Sequence, residues 1–341
     1  MKKKFSIAID AMGGENSPDK VLDGVNLLFN KKNDVHVSLY GDREIILKSI
    51  EKYKNLNYEN CKIIHSPDIV PGNVSVREAI KLGKKTSMWM AIDSVKSGEN
   101  DIVVSSGNTG ALLVMSKLIL KMIEGLDKPA LAAIWPNFVD YTIVLDLGAN
   151  VECTENNLVQ FSIMGSELYK IIFDKSDIST GLLNIGSEEI KGNDSIKNAH
   201  IKLQSSKKLN FNYKGYIEGN QIKDGDYQVV VTDGFTGNVA LKTAEGTANF
   251  ITSEIKKSFS NSIFSKIGYI FSYFAFKKIK SKLDPRKYNG AIFLGLNAPV
   301  IKSHGSADAF AFYNSLNLSY RIISGNLINK IKSNFINNNV Q

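Results

Sequence analysis

The feature that most constrains this chain is residues 101–113, DIVVSSGNTGALL, where a β-branched run must turn through six small residues into an apolar helix. Ile102-Val103-Val104 suits a buried strand, and from Gly110 onward Ala111, Leu112, Leu113, Met115, Leu118 and Ile119 are apolar at helix-compatible spacing. The connection, Ser105-Ser106-Gly107-Asn108-Thr109-Gly110, is rich in small hydrogen-bonding residues. A strand that passes through such a loop into a helix presents free backbone N–H groups and the positive end of a helix dipole, which together hold an anion, above all phosphate. The loop has neither the Gly-Lys-Ser/Thr ending of a P-loop nor the GxGxxG spacing of a dinucleotide site. An ordinary turn capped by Asn108 or Thr109 uses the same residues, so recurrence along the chain has to decide between the two.

The pattern recurs. A strand at residues 4–10 ends in Asp10-Ala11-Met12-Gly13-Gly14, and Ser17 as N-cap with Pro18 at the first helical position opens a helix through 21–29. Residues 35–40 form a second strand, closed by Gly41-Asp42 and followed by a helix at 44–53; residues 61–65 form a third. Helices at 77–84 and 88–96 lead into the central stretch. Beyond it, 129–136 and 142–145 are strands, the second closed by Asp146-Leu147-Gly148-Ala149-Asn150 before a helix around 158–169. The strand at 181–185 runs into Gly186–Asn193, and the strand at 227–231 into Thr232–Asn238 and a helix from Val239. Residues 295–306 lead to a final helix at 309–316. Strands alternating with helices argue for parallel strands in a doubly wound or related α/β architecture. In such a sheet the loops at the carboxyl ends of the strands line the ligand crevice.

Composition narrows the function classes. A chain of 341 residues, 43% hydrophobic and 22% charged, fits a large α/β enzyme, read as one catalytic domain over 1–341 with two lobes as an alternative. Cys61 and Cys153 provide no disulfide framework, which points to a reducing compartment, and four scattered histidines suggest no zinc. The basic start MKKK mimics a signal peptide, but Asp10 interrupts the apolar run, so the segment reads as a strand without export. The net charge of +8 is local: between Lys256 and Lys287 nine Lys/Arg face the single acid Asp284, so the rest of the chain is neutral overall. That location argues against a nucleic-acid partner.

The candidate residues follow from chemistry. Asp10, Gly13, Gly14, Ser106, Asn108, Thr109, Asp146, Asn150, Asp233 and Gly237 are candidates for binding substrate and phosphate, the aspartates alternatively being loop anchors. Lys191 and His304 can add positive charge or move a proton, and Asn238 is a neutral donor suited to a developing oxyanion. For Lys191 the alternative is a solvated surface lysine, and for His304 a helix cap.

Taken together, IAIDAMGGENSP, the Arg77-Glu78-Ala79-Ile80 stretch, VVSSGNTGALL, KPALAAIWP, VLDLGANVEC, GLLNIGSEEIKGN, VVVTDGFTGNVALK and GLNAPVIKSHGSADAFAF resemble the PlsX family of phosphate acyltransferases, in family order to about Leu316. Glu15 stands where that family more usually has Asp. The resemblance implies transfer of a fatty acyl group from acyl carrier protein to inorganic phosphate, giving acyl phosphate for phospholipid synthesis. It further implies a homodimer with a Rossmann-like αβα sandwich of the isocitrate/isopropylmalate dehydrogenase type. The enzyme would lie in the cytoplasm, peripherally attached to the inner face of the cytoplasmic membrane, where a membrane acyl-phosphate:glycerol-3-phosphate acyltransferase is a candidate partner. Such chemistry needs no cofactor and no metal. A decarboxylating dehydrogenase, by contrast, would need a metal-binding carboxylate cluster and a nicotinamide pocket, and neither is legible.

Residues 259–283, FSNSIFSKIGYIFSYFAFKKIKSKL, account for the basic segment. Ile267–Phe276 is too short an uncharged run to cross a bilayer, which takes about 20 residues. Phe264, Ile267, Phe271 and Phe274 recur at helical spacing beside tyrosines and lysines, as in a helix that lies in an anionic membrane interface. A core or dimer-interface helix is the alternative.

Overall fold

The computed structural model describes residues 5–57 and 59–338. The chain runs β1 (Phe5–Asp10), α1 (Asp19–Phe29), β2 (Val35–Gly41), α2 (Arg43–Ile50), β3 (Cys61–His65), α3 (Val76–Leu82), α4 (Ser87–Lys96), β4 (Ile102–Ser105) and α5 (Thr109–Leu120). It continues through β5 (Ala130–Pro136), β6 (Tyr141–Leu145), α6 (Glu155–Phe173), β7 (Ser179–Leu183), α7 (Asp194–Ser205), β8 (Asn212–Ile217) and β9 (Val229–Val231). The last elements are α8 (Gly234–Ser260), α9 (Ile263–Lys282), β10 (Ala291–Leu294), β11 (Val300–Lys302), α10 (Ala309–Ser324) and α11 (Leu327–Asn338). Lys4, the first residue of the expected first strand, lies outside the described residues.

Among the described residues eleven strands join one sheet in the order β3-β2-β1-β4-β11-β10-β5-β6-β9-β7-β8. Its central strands are mostly apolar because both faces are covered, as expected when helices pack on each side. Ile7, Ile9, Ile102, Val104, Ile143, Leu145, Val229 and Val231 face one core, which takes in residues of α1, α6, α10 and α11. Ala8, Val103, Val144 and Val230, at the intervening positions, face the other, which takes in α4 and α5. This period-two division makes the αβα sandwich.

The expectation of parallel strands holds for most pairs and is corrected around β5 and β10. β10 runs antiparallel to both β11 and β5, and β5 runs antiparallel to β6. β6, β9, β7 and β8 are mutually parallel but opposed to β1, β2, β3, β4 and β11. The strand-end loops therefore form two groups that leave the sheet in opposite senses.

Helices α8 and α9 form a hairpin that carries the basic aromatic segment. Phe259 packs against Tyr269 and Phe276 between the two helices, with ring centroids 5.7 and 5.0 Å apart. On the outer side Phe264, Phe271 and Phe274 are 82%, 85% and 80% exposed. Their stripe is not buried in this chain's core, which removes the core-helix alternative. Among the described residues no helix is long and apolar enough to cross a membrane.

Candidate active site

Three strands end level with one another at the first group of loops. Asp10 of β1 lies beside Ser105 of β4, and Ser105 lies beside Lys302 of β11. The Asp10 carboxylate is buried and accepts the hydroxyls of Ser87 and Ser105, each at 2.7 Å. Burial pushes its pKa up, and the two hydroxyls and the Met12 N–H partly offset this. Ser105 Oγ in turn accepts the Gly107 N–H at 3.0 Å. Ser17 does not cap α1 as expected: its hydroxyl donates to the Gly13 carbonyl at 2.6 Å, tying the glycine loop closed, and Pro18 holds the cap position without a side-chain bond.

That loop presses against the Ser106 turn. Gly14 has φ +80°, and a Cβ there would lie 2.7 Å from Lys20 Nζ, 2.8 Å from the Gly305 carbonyl and 2.9 Å from Ser106 Cβ, so only glycine fits. Lys20 is buried and donates to the Gly305 carbonyl at 2.6 Å. Lys302 donates to the carbonyls of Ser303 and Ser106. Burial and the nearby Lys20 charge push Lys302 down to about 8. Burial also lowers Lys20, against the opposing pull of Glu15 and Asp10. The Ser106 hydroxyl is buried without a hydrogen-bond partner at the start of α5. Asn108 caps that helix, accepting the Ala111 N–H at 3.0 Å, while its amide donates to the Gly72 and Val74 carbonyls. Its side chain is thereby occupied; Thr109 and Gly110 lead the helix, where backbone N–H groups lack intrahelical partners.

The second group of loops is organised by Asp146, which is fully buried at the end of β6. Its carboxylate accepts the N–H groups of Leu131, Gly148, Ala149 and Asn150 and the Asn150 side-chain amide. Asp233 caps α8, accepting the N–H and hydroxyl of Thr236 at 2.8 Å each. A Cβ on Gly237 would clash with the Asp146 carbonyl, so this glycine lets α8 start directly against the Asp146 turn. Asn238 follows and lies against Gly148. Lys191 sits exposed on the loop after β7, which Asn184 holds through the Gly186 and Lys191 carbonyls.

Helix α8 links the groups. The His304 pKa is lowered by desolvation and by the charges of Lys302 and Lys242, so the imidazole is neutral at pH 7. Lys242 lies one turn beyond Asn238 on the same face of α8. His304 Nδ1 accepts the Ser306 N–H at 3.3 Å, which leaves Nε2 carrying the proton. The structure thus gathers Asp10, Gly13, Gly14, Ser106, Asn108, Thr109 and His304 at one end, and Asp146, Asn150, Asp233, Gly237 and Asn238 at the other. Lys191 stands apart on its own loop.

Sequence reasoning missed three contributors. Lys20 lies on the face of α1 that also holds Gly24 and Leu28, and a lysine on such a stripe was a readable signal. Lys302 at a strand end was another. Asn289 gave none: its amide donates to the Ser303 and Ser315 hydroxyls and its carbonyl accepts the His304 N–H, seating the turn that carries His304. Among the described residues no group of His, Cys, Asp and Glu comes together in a way that could hold a metal.

Solved structures share this architecture. The EutD phosphotransacetylase from Staphylococcus aureus superposes with a TM-score of 0.61 at 16% identity, over 94% of each chain. A 4-hydroxythreonine-4-phosphate dehydrogenase from Klebsiella pneumoniae gives 0.54 at 10% identity, over 94% of this chain and 100% of the other. At such identities they establish the fold alone. Sequence comparison goes further. The model of a family described as "Fatty acid synthesis protein" matches residues 5–330. A phosphate acyltransferase of Pelagibacter ubique is 54% identical over 98% of this chain and 99% of its own length. Another from Paramagnetospirillum magneticum is 41% identical over 98% of this chain and 95% of its own. With the family model spanning nearly the whole chain and relatives of this identity matched end to end, the chain belongs to the phosphate acyltransferase family.

Proposed function

We propose that this phosphate acyltransferase takes a fatty acyl group from the thioester of acyl carrier protein and delivers it to inorganic phosphate, yielding acyl phosphate and free carrier for phospholipid synthesis. The observation that carries the reading is the partnerless, buried Ser106 hydroxyl at the start of α5, in a loop held rigid by Asp10 and Ser105. A phosphate oxygen attacks the thioester carbonyl, a C–O bond forms and the C–S bond breaks. Phosphate is itself the nucleophile, so no activated serine or cysteine is required. A thiol of pKa ~8.5, by analogy with cysteine, leaves without a strong acid. The site therefore has to align phosphate with the thioester and to stabilise the tetrahedral oxyanion.

In this reading Gly13, Gly14, Ser106 and the leading N–H groups at Thr109 cradle phosphate, with Asn108 holding the helix end. Asn238 donates to the oxyanion, His304 supplies its Nε2 proton and Lys191 adds positive charge. Asp10, Asp146, Asn150, Asp233 and Gly237 fix the loops that present these groups. The continuous sheet supports treating the chain as one catalytic unit. The exposed phenylalanines of the α8–α9 hairpin, flanked by lysines, support peripheral docking to the inner face of the cytoplasmic membrane, and the hairpin also offers a surface for a second copy of the chain. Incubation with acyl-acyl carrier protein, with and without phosphate, tests the function. Phosphate-dependent acyl phosphate, trapped as hydroxamate, is expected; release of free fatty acid alone, regardless of phosphate, contradicts it.

A further inference from the structure

We propose that Lys20 and Lys302 form a two-lysine clamp that binds the phosphate acceptor as an anion against the Ser106 hydroxyl and the N-terminus of α5. This rests on the phosphate-transfer reading and names the groups that hold the acceptor.

Four observations converge on one spot. The Lys20 ammonium and Ser106 Cβ both lie within 3 Å of where a Gly14 Cβ would project, so they stand side by side over the glycine loop. Lys302 arrives from the end of β11, in register with Ser105, and reaches the Ser106 carbonyl at 3.5 Å. Ser106 Oγ is buried, and a buried hydroxyl left unmatched costs free energy unless a ligand completes it. Finally, α5 is a twelve-residue helix whose N-terminus opens at the same loop.

The attraction of Asp10 and Glu15 does not make up for burial, and both lysines stay below the ordinary lysine range. Each lysine lowers its affinity for a proton on being buried, and the Lys20 charge further disfavours that on Lys302. Asp10 attracts both lysines while its oxygens accept the Ser87 and Ser105 hydroxyls. Glu15, His304, Lys242 and Glu245, the last paired with Lys242, are further charged or titratable groups near the clamp. An ammonium has three protons to donate. Lys20 commits one to Gly305, which leaves donors for a tetrahedral anion. Phosphate here lies next to His304, whose backbone follows Lys302 by two residues, so the acceptor and the proton-bearing imidazole share one turn.

The test uses inorganic phosphate alone, titrated calorimetrically into the full chain. Lys20→Met and Lys302→Met are each expected to weaken phosphate binding by roughly 10- to 100-fold, the range for a lost hydrogen bond to a charged group. Lys302→Arg is expected to recover part of the loss. In turnover, the KM for phosphate rises while the KM for the acyl thioester is unchanged. Phosphate affinities within twofold of wild type in both methionine variants overturn the clamp. Wild-type protein gives an independent check should a variant fail to fold: phosphate is expected to slow acetylation of Lys302 by acetic anhydride at least severalfold, read by peptide mass spectrometry. Unchanged labelling overturns the proposal. Acyl phosphate formation with an untouched phosphate KM would refute the clamp and spare the function. Phosphate binding lost in both variants, without any acyl phosphate from wild type, would spare the clamp and refute the function.

Discussion

Replacing Asp10 with alanine separates an anchor from a substrate contact. The carboxylate accepts two hydroxyls, from Ser87 and Ser105, whose residues are 1% and 0% exposed. Each buried donor stripped of its acceptor costs about 1–3 kcal/mol. Losing the desolvated carboxylate returns part of that, since burial holds the Asp10 pKa above its ordinary value. A group raised in this way contributes most at low pH and loses that contribution as pH climbs through its folded pKa, so the carboxylate carries a burial penalty at pH 7. The net loss on Asp10→Ala is then about 2–4 kcal/mol at pH 7. Urea unfolding followed by far-UV circular dichroism, at an unchanged m-value, measures it. Asp10→Asn keeps one oxygen for Ser87 and an amide facing Ser105, and is expected to lose less than half as much. A loss below about 0.5 kcal/mol for Asp10→Ala, the range of ordinary surface changes, would refute the anchoring argument.

Other perturbations follow from the same geometry. Gly237→Ala places a Cβ against the Asp146 carbonyl, backbone on backbone, and is expected to cost about 3 kcal/mol together with most of the activity; a thermal melt and a turnover assay read both. His304→Gln, Asn238→Ala and Lys191→Ala are expected to slow turnover at saturating substrates, by roughly 100- to 1000-fold where an oxyanion donor is lost, with folding intact by circular dichroism. Near-wild-type rates in all three would move the site elsewhere. Lys302 sits near 8 in the fold against 10.5 when free, so between those values the unfolded chain binds more protons and stability rises with pH. Without phosphate, Lys302→Met is therefore expected to be more stable than wild type at pH 7, with the difference shrinking as pH rises through that window. Phe271→Glu with Phe274→Glu is expected to abolish flotation with anionic liposomes while turnover in solution persists; flotation equal to wild type would remove the hairpin's membrane role.

Much of this architecture was legible because its local signals agree. The strands at β2, β3, β4 and β6 begin and end within a residue or so of their expected bounds, since each is a short run rich in apolar residues closed by a polar or glycine turn. Strand direction was not legible. Ala130–Pro136 reads like any other buried strand and Ala291–Leu294 goes unmarked, yet their antiparallel pairing reverses half the sheet and splits the candidate residues into two groups. Helix α7 and strand β8 escaped notice because α7 buries only Ala199 and Leu203, and β8 is interrupted by Gly215. Residue roles divided similarly. A polar residue at a strand end advertises loop chemistry, but Asp10, Asn108 and Asp146 prove to be occupied by their own loops. Lys20 and Lys302, hidden within regular elements, lie at the Ser106 turn.

The central claim is that a phosphate oxygen attacks the acyl thioester directly. Turnover with phosphate fully labelled with oxygen-18, followed by mass spectrometry of the intact acyl phosphate, tests it most directly. Direct attack predicts that every heavy oxygen of the phosphate is retained in the product. Loss of one heavy oxygen would show that the bridging atom came from the acyl carboxylate, and would contradict the account.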